Sequence, residues 1–205
     1  MKDSRRLTNH GVSRVLVLAI CLLIVSIGLI PATVSSEAIA DQRESNYKVW
    51  VQGGFFTPAR GKMRSIYGDA LSVAGGAEIR ISGRLSVGAY GGYLELDKGD
   101  IPLKYRNIYV VPTVTFSLLE NERLNLYSQL GVGLNFREIQ FKWLYEQRDF
   151  GLSGNMAVGV DYLLSGPFIL GARTTFDFIY DPDPTLGDFG NTGGFNFQIR
   201  GGLVF

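Results

Sequence analysis

FNFQIRGGLVF, residues 195–205, alternates apolar and polar side chains with a period of two. This period is typical of a β-strand, in which successive side chains point to opposite faces. One face carries Phe195, Phe197, Ile199, Gly201, Leu203 and Phe205, and the other carries Asn196, Gln198, Arg200, Gly202 and Val204. The stretch therefore predicts a strand with an apolar, aromatic face that ends at Phe205.

The same alternation recurs upstream, and no segment after residue 45 shows a convincing helical period of 3.6. The apolar faces of seven further strands are predicted at 47–55, 71–81, 85–93, 108–118, 124–136, 150–162 and 168–180. Most of these strands match the roughly 9–11 tilted residues that cross a bilayer. The sequence thus predicts eight strands.

The predicted connections alternate in length. Those at 82–84, 119–123 and 163–167 are short and contain turn residues, whereas those at 56–70, 94–107, 137–149 and 181–194 are longer and more polar. Outer-membrane barrels have short periplasmic turns and long external loops. We therefore predict an all-β fold, an eight-stranded antiparallel transmembrane β-barrel with up-and-down (meander) topology. Pro112 lies inside the fourth strand, where a local bulge is expected because proline cannot donate to the ladder.

The N-terminus has the three parts of a secretory signal peptide. A basic stretch is followed by an apolar run at 15–30, by Pro31 and by the cleavage candidate Ala38-Ile39-Ala40. We predict a cleaved signal peptide at 1–40 and a barrel domain at 41–205. Cleavage after Ser36 and a retained transmembrane anchor are the alternatives.

The direction of the apolar faces separates a membrane barrel from a soluble one. Aromatic residues of the apolar faces collect near strand ends, as in the girdles of membrane barrels. The opposite faces carry Lys48, Gln52, Glu78, Arg80, Gln129, Asn155, Asp161, Arg173, Asp177, Gln198 and Arg200. These features favour apolar faces that point to lipid. A soluble periplasmic barrel that binds an apolar ligand is the alternative.

The C-terminal strand resembles the β-signal of outer-membrane proteins, in which alternating apolar residues end in an aromatic one. With the signal peptide and eight strands, residues 45–205 resemble the small OmpX/OmpA-type outer-membrane barrel family. The resemblance implies insertion into the bacterial outer membrane by the barrel-assembly machinery. The implied assembly signal comprises Phe195, Phe197, Ile199, Leu203 and Phe205.

Composition argues against catalysis. Enzymes of similar architecture rely on a histidine, and the only His and the only Cys are His10 and Cys21, both inside the predicted signal peptide. We predict no enzyme activity, cofactor or metal, and the net charge of +1 does not suggest nucleic acid. The expected partners are outer-membrane lipid and lipopolysaccharide, for which a basic loop at 60–64 is a candidate, although solvation explains that loop as well. A monomer is expected.

Charged residues on the polar faces need partners, because isolated buried charges are costly. Eight strands enclose an interior just wide enough for side chains to fill. We predict an interior salt-bridge network drawn from Lys48, Glu78, Arg80, Arg173, Asp177 and Arg200. The network would plug the barrel, giving a non-catalytic structural or interaction role in the cell envelope. A narrow channel for ions or small solutes is the alternative.

Overall fold

The computed structural model describes residues 46–59, 69–97, 103–141, 145–180 and 192–205. The predicted signal peptide at 1–40 and the basic loop at 60–64 lie outside these ranges. Both therefore stay predictions.

Eight strands form a closed antiparallel barrel in which each strand pairs with its neighbours in the chain and β1 pairs with β8. This confirms the predicted fold class. No helix among the described residues is long and apolar enough to cross a membrane. The strands are β1 (Tyr47–Pro58), β2 (Ala70–Ser82), β3 (Leu85–Asp97), β4 (Leu103–Glu120), β5 (Leu124–Phe141), β6 (Tyr145–Leu163), β7 (Phe168–Tyr180) and β8 (Thr192–Val204).

The barrel closes between its first and last strands. Val49 pairs with Leu203, and Phe55 pairs with Phe197. Just beyond the end of β8, the Phe205 N–H donates to the Tyr47 carbonyl at 2.9 Å, and the Tyr47 N–H donates to the Phe205 carbonyl at 3.0 Å. The two rings stack with their centroids 6.2 Å apart. Phe205 is therefore part of the seam that closes the sheet.

The central strands are longer than the alternation of apolar residues predicted. The predicted loops at 94–107 and 137–149 are largely strand, because β4, β5 and β6 extend beyond the apolar stretch. In the extension, Glu138 lies opposite Arg106 on one side and Arg148 on the other. Cross-strand pairs of opposite charge stabilise a sheet as apolar pairs do. Polarity alone was therefore a poor guide to where these strands end.

The bulge expected at Pro112 is absent. Val110 pairs with Leu134 and Thr113 pairs with Gly131, so β4 keeps the same register against β5 on both sides of the proline. Pro112 also stays opposite Ala89 of β3. The missing N–H therefore leaves the register of the strand unchanged. Register shifts occur instead near two short turns, between Arg80 and Ser82 and between Ser117 and Leu119.

The apolar faces of the strands point outward. Val132 is 66% exposed and Ile199 is 68% exposed, although both are aliphatic. The predicted aromatic residues at the two ends are also exposed, among them Tyr47, Phe116, Phe168, Phe55, Phe136 and Phe150. On β4 the apolar face runs from Ile108 to Leu118, eleven residues. At about 3.3 Å per residue and a tilt near 40°, this face is about 25 Å tall.

Candidate functional site in the barrel lumen

Alternate side chains of all eight strands point into the lumen. Because side chains in a strand alternate between faces, each outward apolar residue is flanked by inward ones. Among the described residues, the buried polar and charged ones are Gln52, Ser72, Glu78, Asn107, Thr113, Thr115, Ser117, Gln129, Asn135, Arg137, Ser153, Asn155, Asp161, Arg173, Thr175, Asn196, Gln198 and Arg200. The interior is therefore largely polar.

An ion-pair layer lies in the lumen near the end where the chain enters β1. Lys48 Nζ lies 2.9 Å from Glu78 Oε2 and 3.3 Å from Asp161 Oδ2. Asp161 also accepts hydrogen bonds from Arg200, whose Nε lies 2.5 Å from Oδ1 and whose Nη2 bonds Oδ2. Two cations and two carboxylates thus form one connected, neutral group, which we call the ion-pair layer. Burial without such pairing would be costly.

A glutamine side chain donates a hydrogen bond to Glu78, the second carboxylate of the layer. Gln129 Nε2 donates to Glu78 Oε1 at 3.1 Å and to Thr115 Oγ1 at 2.8 Å. Glu78 therefore has a cation on one oxygen and an amide on the other.

Gly171 allows Asp161 and Arg200 to meet. The two residues lie on β6 and β8, and Gly171 of β7 pairs with both of them. A β-carbon on Gly171 would overlap an Asp161 carboxylate oxygen and the carbonyl of Val160. The absence of a side chain on the middle strand is what lets the ion pair reach across it.

Gly171→Ala should therefore lower the free energy of unfolding by about 1–3 kcal/mol, the usual cost of overpacking. Gly201→Ala is the matched control, because a β-carbon there meets nothing nearer than a carbonyl oxygen at 3.9 Å. Reversible urea unfolding in lipid vesicles measures both. Equal effects of the two substitutions would contradict the spacing role of Gly171.

Inward aromatic rings pack against the cations of the lumen. The Arg200 guanidinium carbon lies 4.5 Å from the centre of the Tyr127 ring and 5.4 Å from that of Trp50. The Arg173 carbon lies 4.9 Å from the Tyr90 ring centre and 5.7 Å from that of Trp50. Cation–π attraction strengthens when the cation is desolvated. Trp50 is therefore close to two buried arginines.

The structure brings together only part of the predicted network. Lys48, Glu78 and Arg200 share the ion-pair layer, and Asp161 completes it. Arg80 lies outside the layer and pairs with Glu120 at 2.6 Å, each side chain about one-third exposed. Arg80 was assigned to the lumen by alternation, but it lies near the short turns, where its side chain reaches solvent and a neighbouring carboxylate.

Arg173 and Asp177 are also separate from the ion-pair layer. Arg173 is buried against the two rings described above, and Asp177 lines a small cavity farther along the lumen. Asp161 and the aromatic residues were missed as partners. Alternation did place Asp161 on the polar face, but the contact with Arg200 crosses an intervening strand, and single-strand patterns do not show this.

A row of charged residues borders the apolar outer face at the other end of the barrel. Glu95, Arg106, Glu138 and Arg148 lie directly opposite one another on β3, β4, β5 and β6. Arg106 Nε lies 3.1 Å from Glu95 Oε2, and Lys104 Nζ lies 2.6 Å from Glu95 Oε1. Two residues nearer the middle of each strand, the row is Tyr93, Ile108, Phe136 and Phe150. The outer surface thus changes from apolar to charged in one step.

The residues of the predicted assembly signal form an outward stripe on β8 and its end. Phe195, Phe197, Ile199 and Phe205 are exposed, and Leu203 is half-buried. Their alternation partners Asn196, Gln198 and Arg200 are buried in the lumen. The stripe therefore belongs to the apolar outer face.

No protein-family model matches the sequence, and no curated protein matches it. Solved structures of outer-membrane proteins do share its fold. Neisserial surface protein A has a TM-score of 0.64 at 12% identity, over 78% of this chain and 97% of that one. The N-terminal β-barrel domain of Pseudomonas aeruginosa OprF has a TM-score of 0.54 at 12% identity, over 78% and 98%. The attachment invasion locus protein Ail of Yersinia pestis has a TM-score of 0.53 at 11% identity, over 78% and 99%.

These likenesses agree with the strand order, the closed sheet and the outward apolar residues. They confirm the fold expected from the resemblance to small outer-membrane barrels. The chain therefore has the fold of the small eight-stranded outer-membrane β-barrels.

Proposed function

We propose that this chain is an integral outer-membrane protein with a structural or interaction role in the cell envelope and no catalytic activity. The observation that carries the proposal is the apolar outer face, about 25 Å tall, which matches the band of membrane barrels. It is bounded by the charged row of Glu95, Arg106, Glu138 and Arg148 at one end and by Arg80 and Glu120 at the other. A soluble barrel would place these large apolar residues inside.

The lumen supports the absence of transport and catalysis. The ion-pair layer places paired charges in the lumen, and the aromatic rings of Trp50 and Tyr127 pack against its Arg200. The predicted mature chain also has no imidazole or thiol, which removes the usual bases and nucleophiles of barrel enzymes. A filled polar interior that fixes the strand register is the role these residues fit best.

Lipid contact follows from the same surface. Lys104, Arg106 and Arg148 lie at the level where the apolar face ends, and their side chains can meet the phosphates of outer-leaflet lipid or lipopolysaccharide. Insertion by the barrel-assembly machinery through the outward stripe of β8 belongs to the same proposal. We propose that the protein works as a monomer, because the barrel leaves no sheet edge unpaired between β1 and β8.

Val132→Arg tests the membrane location. Val132 is 66% exposed near the middle of the outer face, so arginine there should cost about 2–4 kcal/mol in a bilayer. Leu118→Arg near the end of that face is the matched control and should cost about 0–1 kcal/mol. Urea unfolding in vesicles measures both. A soluble barrel would tolerate both changes to within about 0.5 kcal/mol, and that result would overturn the proposal.

A narrow channel is the second candidate. It is favoured by Lys48, whose ammonium contacts two carboxylates at once and so has alternative partners if one contact breaks. Single-channel recording in planar bilayers separates the candidates. Steady conductance of the unmodified protein would support the channel, and silence would support the filled interior.

A further inference from the structure

Tyr90 makes contacts that join opposite walls of the barrel. It lies on β3, whereas Arg173, whose guanidinium carbon lies 4.9 Å from the centre of the Tyr90 ring, belongs to β7. These two strands are four strands apart in either direction around the closed sheet. Asn155 of β6 also donates a hydrogen bond to the Tyr90 hydroxyl. Side-chain contacts therefore cross the whole lumen at the level of Tyr90.

Two further rings pack against the Tyr90 ring. The centres of the Trp50 and Tyr109 rings each lie 5.7 Å from that of Tyr90. In the sheet, Gly76 of β2 separates Trp50 from Tyr90, and a β-carbon on Gly76 would lie 2.9 Å from the Trp50 ring and 2.6 Å from the Tyr90 β-carbon. The absence of a side chain at Gly76 therefore lets Trp50 reach over β2 to Tyr90. We give the name cross-lumen cluster to Trp50, Tyr90, Asn155 and Arg173.

The exposure of the inward side chains differs along the lumen. The four residues of the cross-lumen cluster are each at most 4% exposed. On one side of the cluster, the Lys48 side chain in the ion-pair layer is 14% exposed, so water reaches it. On the other side, an open cavity extends from Phe56 and Leu94 to Tyr90. Because a water-filled passage would expose the side chains that line it, the space open to water ends at the cluster from both sides.

The chemistry of the cross-lumen cluster makes it a stronger barrier than the ion-pair layer. In the layer, Lys48 contacts Glu78 and Asp161 through charged groups, which water can solvate. In the cluster, aromatic rings occupy the lumen, and apolar groups in a constriction exclude water and ions by dewetting. Arg173 lies against two of these rings, and such cation–π attraction strengthens when water is removed. An ion that passes the cluster must displace this packing.

We propose that the cross-lumen cluster, and not the ion-pair layer, is the barrier that prevents this barrel from conducting ions. Tyr90 is its central residue, because its ring or hydroxyl contacts the other three members on β1, β6 and β7. The inference rests on the proposed filled interior and goes beyond it. It assigns the block to one side chain and predicts an ion channel when that side chain is removed.

Single-channel recording of the full-length protein in planar bilayers tests this barrier. The unmodified protein should be silent. Tyr90→Ala should raise the mean current at least about tenfold above that of the unmodified protein, since permeation rates depend exponentially on the barrier. Tyr90→Phe is the matched control, because it keeps the ring against which Arg173 packs, and it should stay silent. Lys48→Ala disrupts the ion-pair layer alone and should also stay silent.

Heat-modifiable gel mobility verifies that each variant is folded. If Tyr90→Ala does not fold, Arg173→Ala removes the other side of the same contact and should give the same rise in current. Silence of the folded Tyr90→Ala or Arg173→Ala protein would overturn the barrier. Currents through Tyr90→Phe or Lys48→Ala as large as those through Tyr90→Ala would overturn it too. Steady conductance of the unmodified protein would refute the filled interior together with the barrier, so the two failures are distinguishable.

Discussion

Asp161→Ala should lower the free energy of unfolding by about 3–5 kcal/mol, the usual cost of leaving a buried partner charge unpaired. The Arg200 side chain is fully buried, and Asp161 is the carboxylate that accepts from both its Nε and its Nη2. Lys48 loses one of its two carboxylates in the same variant and keeps Glu78. The loss should therefore arise mainly at Arg200. Urea unfolding in vesicles, followed by tryptophan fluorescence, measures it.

Glu120→Ala is the matched control for Asp161→Ala. It removes the carboxylate of the Arg80 pair, whose side chains are 29% and 34% exposed. Exposed pairs contribute about 0–1 kcal/mol. Similar losses in the two variants would show that Arg200 has access to water. Adding Arg200→Met to Asp161→Leu should recover much of the loss, because both charges are then gone.

Deletion of Phe205 should reduce the inserted, heat-modifiable fraction of the protein several-fold while synthesis and export continue. The deletion removes both backbone hydrogen bonds to Tyr47 and the stacked ring, which together finish the seam between β1 and β8. Fractionation of outer membrane and periplasm, followed by gels of heated and unheated samples, measures the effect. The expected product is unfolded protein in the periplasm.

Phe168→Ala is the matched control for the Phe205 deletion. Phe168 is an exposed aromatic residue at the same end of the barrel, 56% exposed against 40% for Phe205, but it lies at the start of β7 and not at the seam. It should insert normally. Normal insertion without Phe205 would contradict the role of this residue in closure and in the assembly signal.

Period-two alternation predicted most of this fold because each strand has one face in lipid and one in the lumen. That contrast is strong at 195–200, where exposed and buried side chains alternate residue by residue. It weakens beyond the apolar face, where Arg106 and Glu138 point outward and Leu96 and Tyr105 point inward. The strands continue there, but their faces exchange polarity, so the predicted starts of β4 and β6 were too late and the predicted end of β5 was too early.

The sequence predicted which residues of the candidate site point into the lumen, but it did not predict which of them contact one another. Alternation places Lys48, Glu78 and Arg200 on inward faces, and neighbouring strands bring Lys48 opposite Glu78. The Asp161–Arg200 contact depends on Gly171 of the strand between them, and the approach of Lys48 to Asp161 depends on the diameter of the closed barrel. Arg80 shows the opposite error. Its position in the alternation predicts a side chain that points into the lumen. Close to the turns, however, this long side chain reaches the end of the barrel and pairs with Glu120.

The ion-pair layer also sets the order in which the barrel can lose its internal water. Lys48 and Asp161 are 113 residues apart in the chain, and Lys48 lies on the first strand. Arg200 lies on the last strand, so the complete layer forms only when β1 and β8 meet. Until then, the same charges face an open, hydrated sheet and incur no desolvation cost. Closure of the seam between β1 and β8 is therefore the step at which dehydration and ion pairing occur together. A barrel that stops folding before this step keeps its entire inner face hydrated.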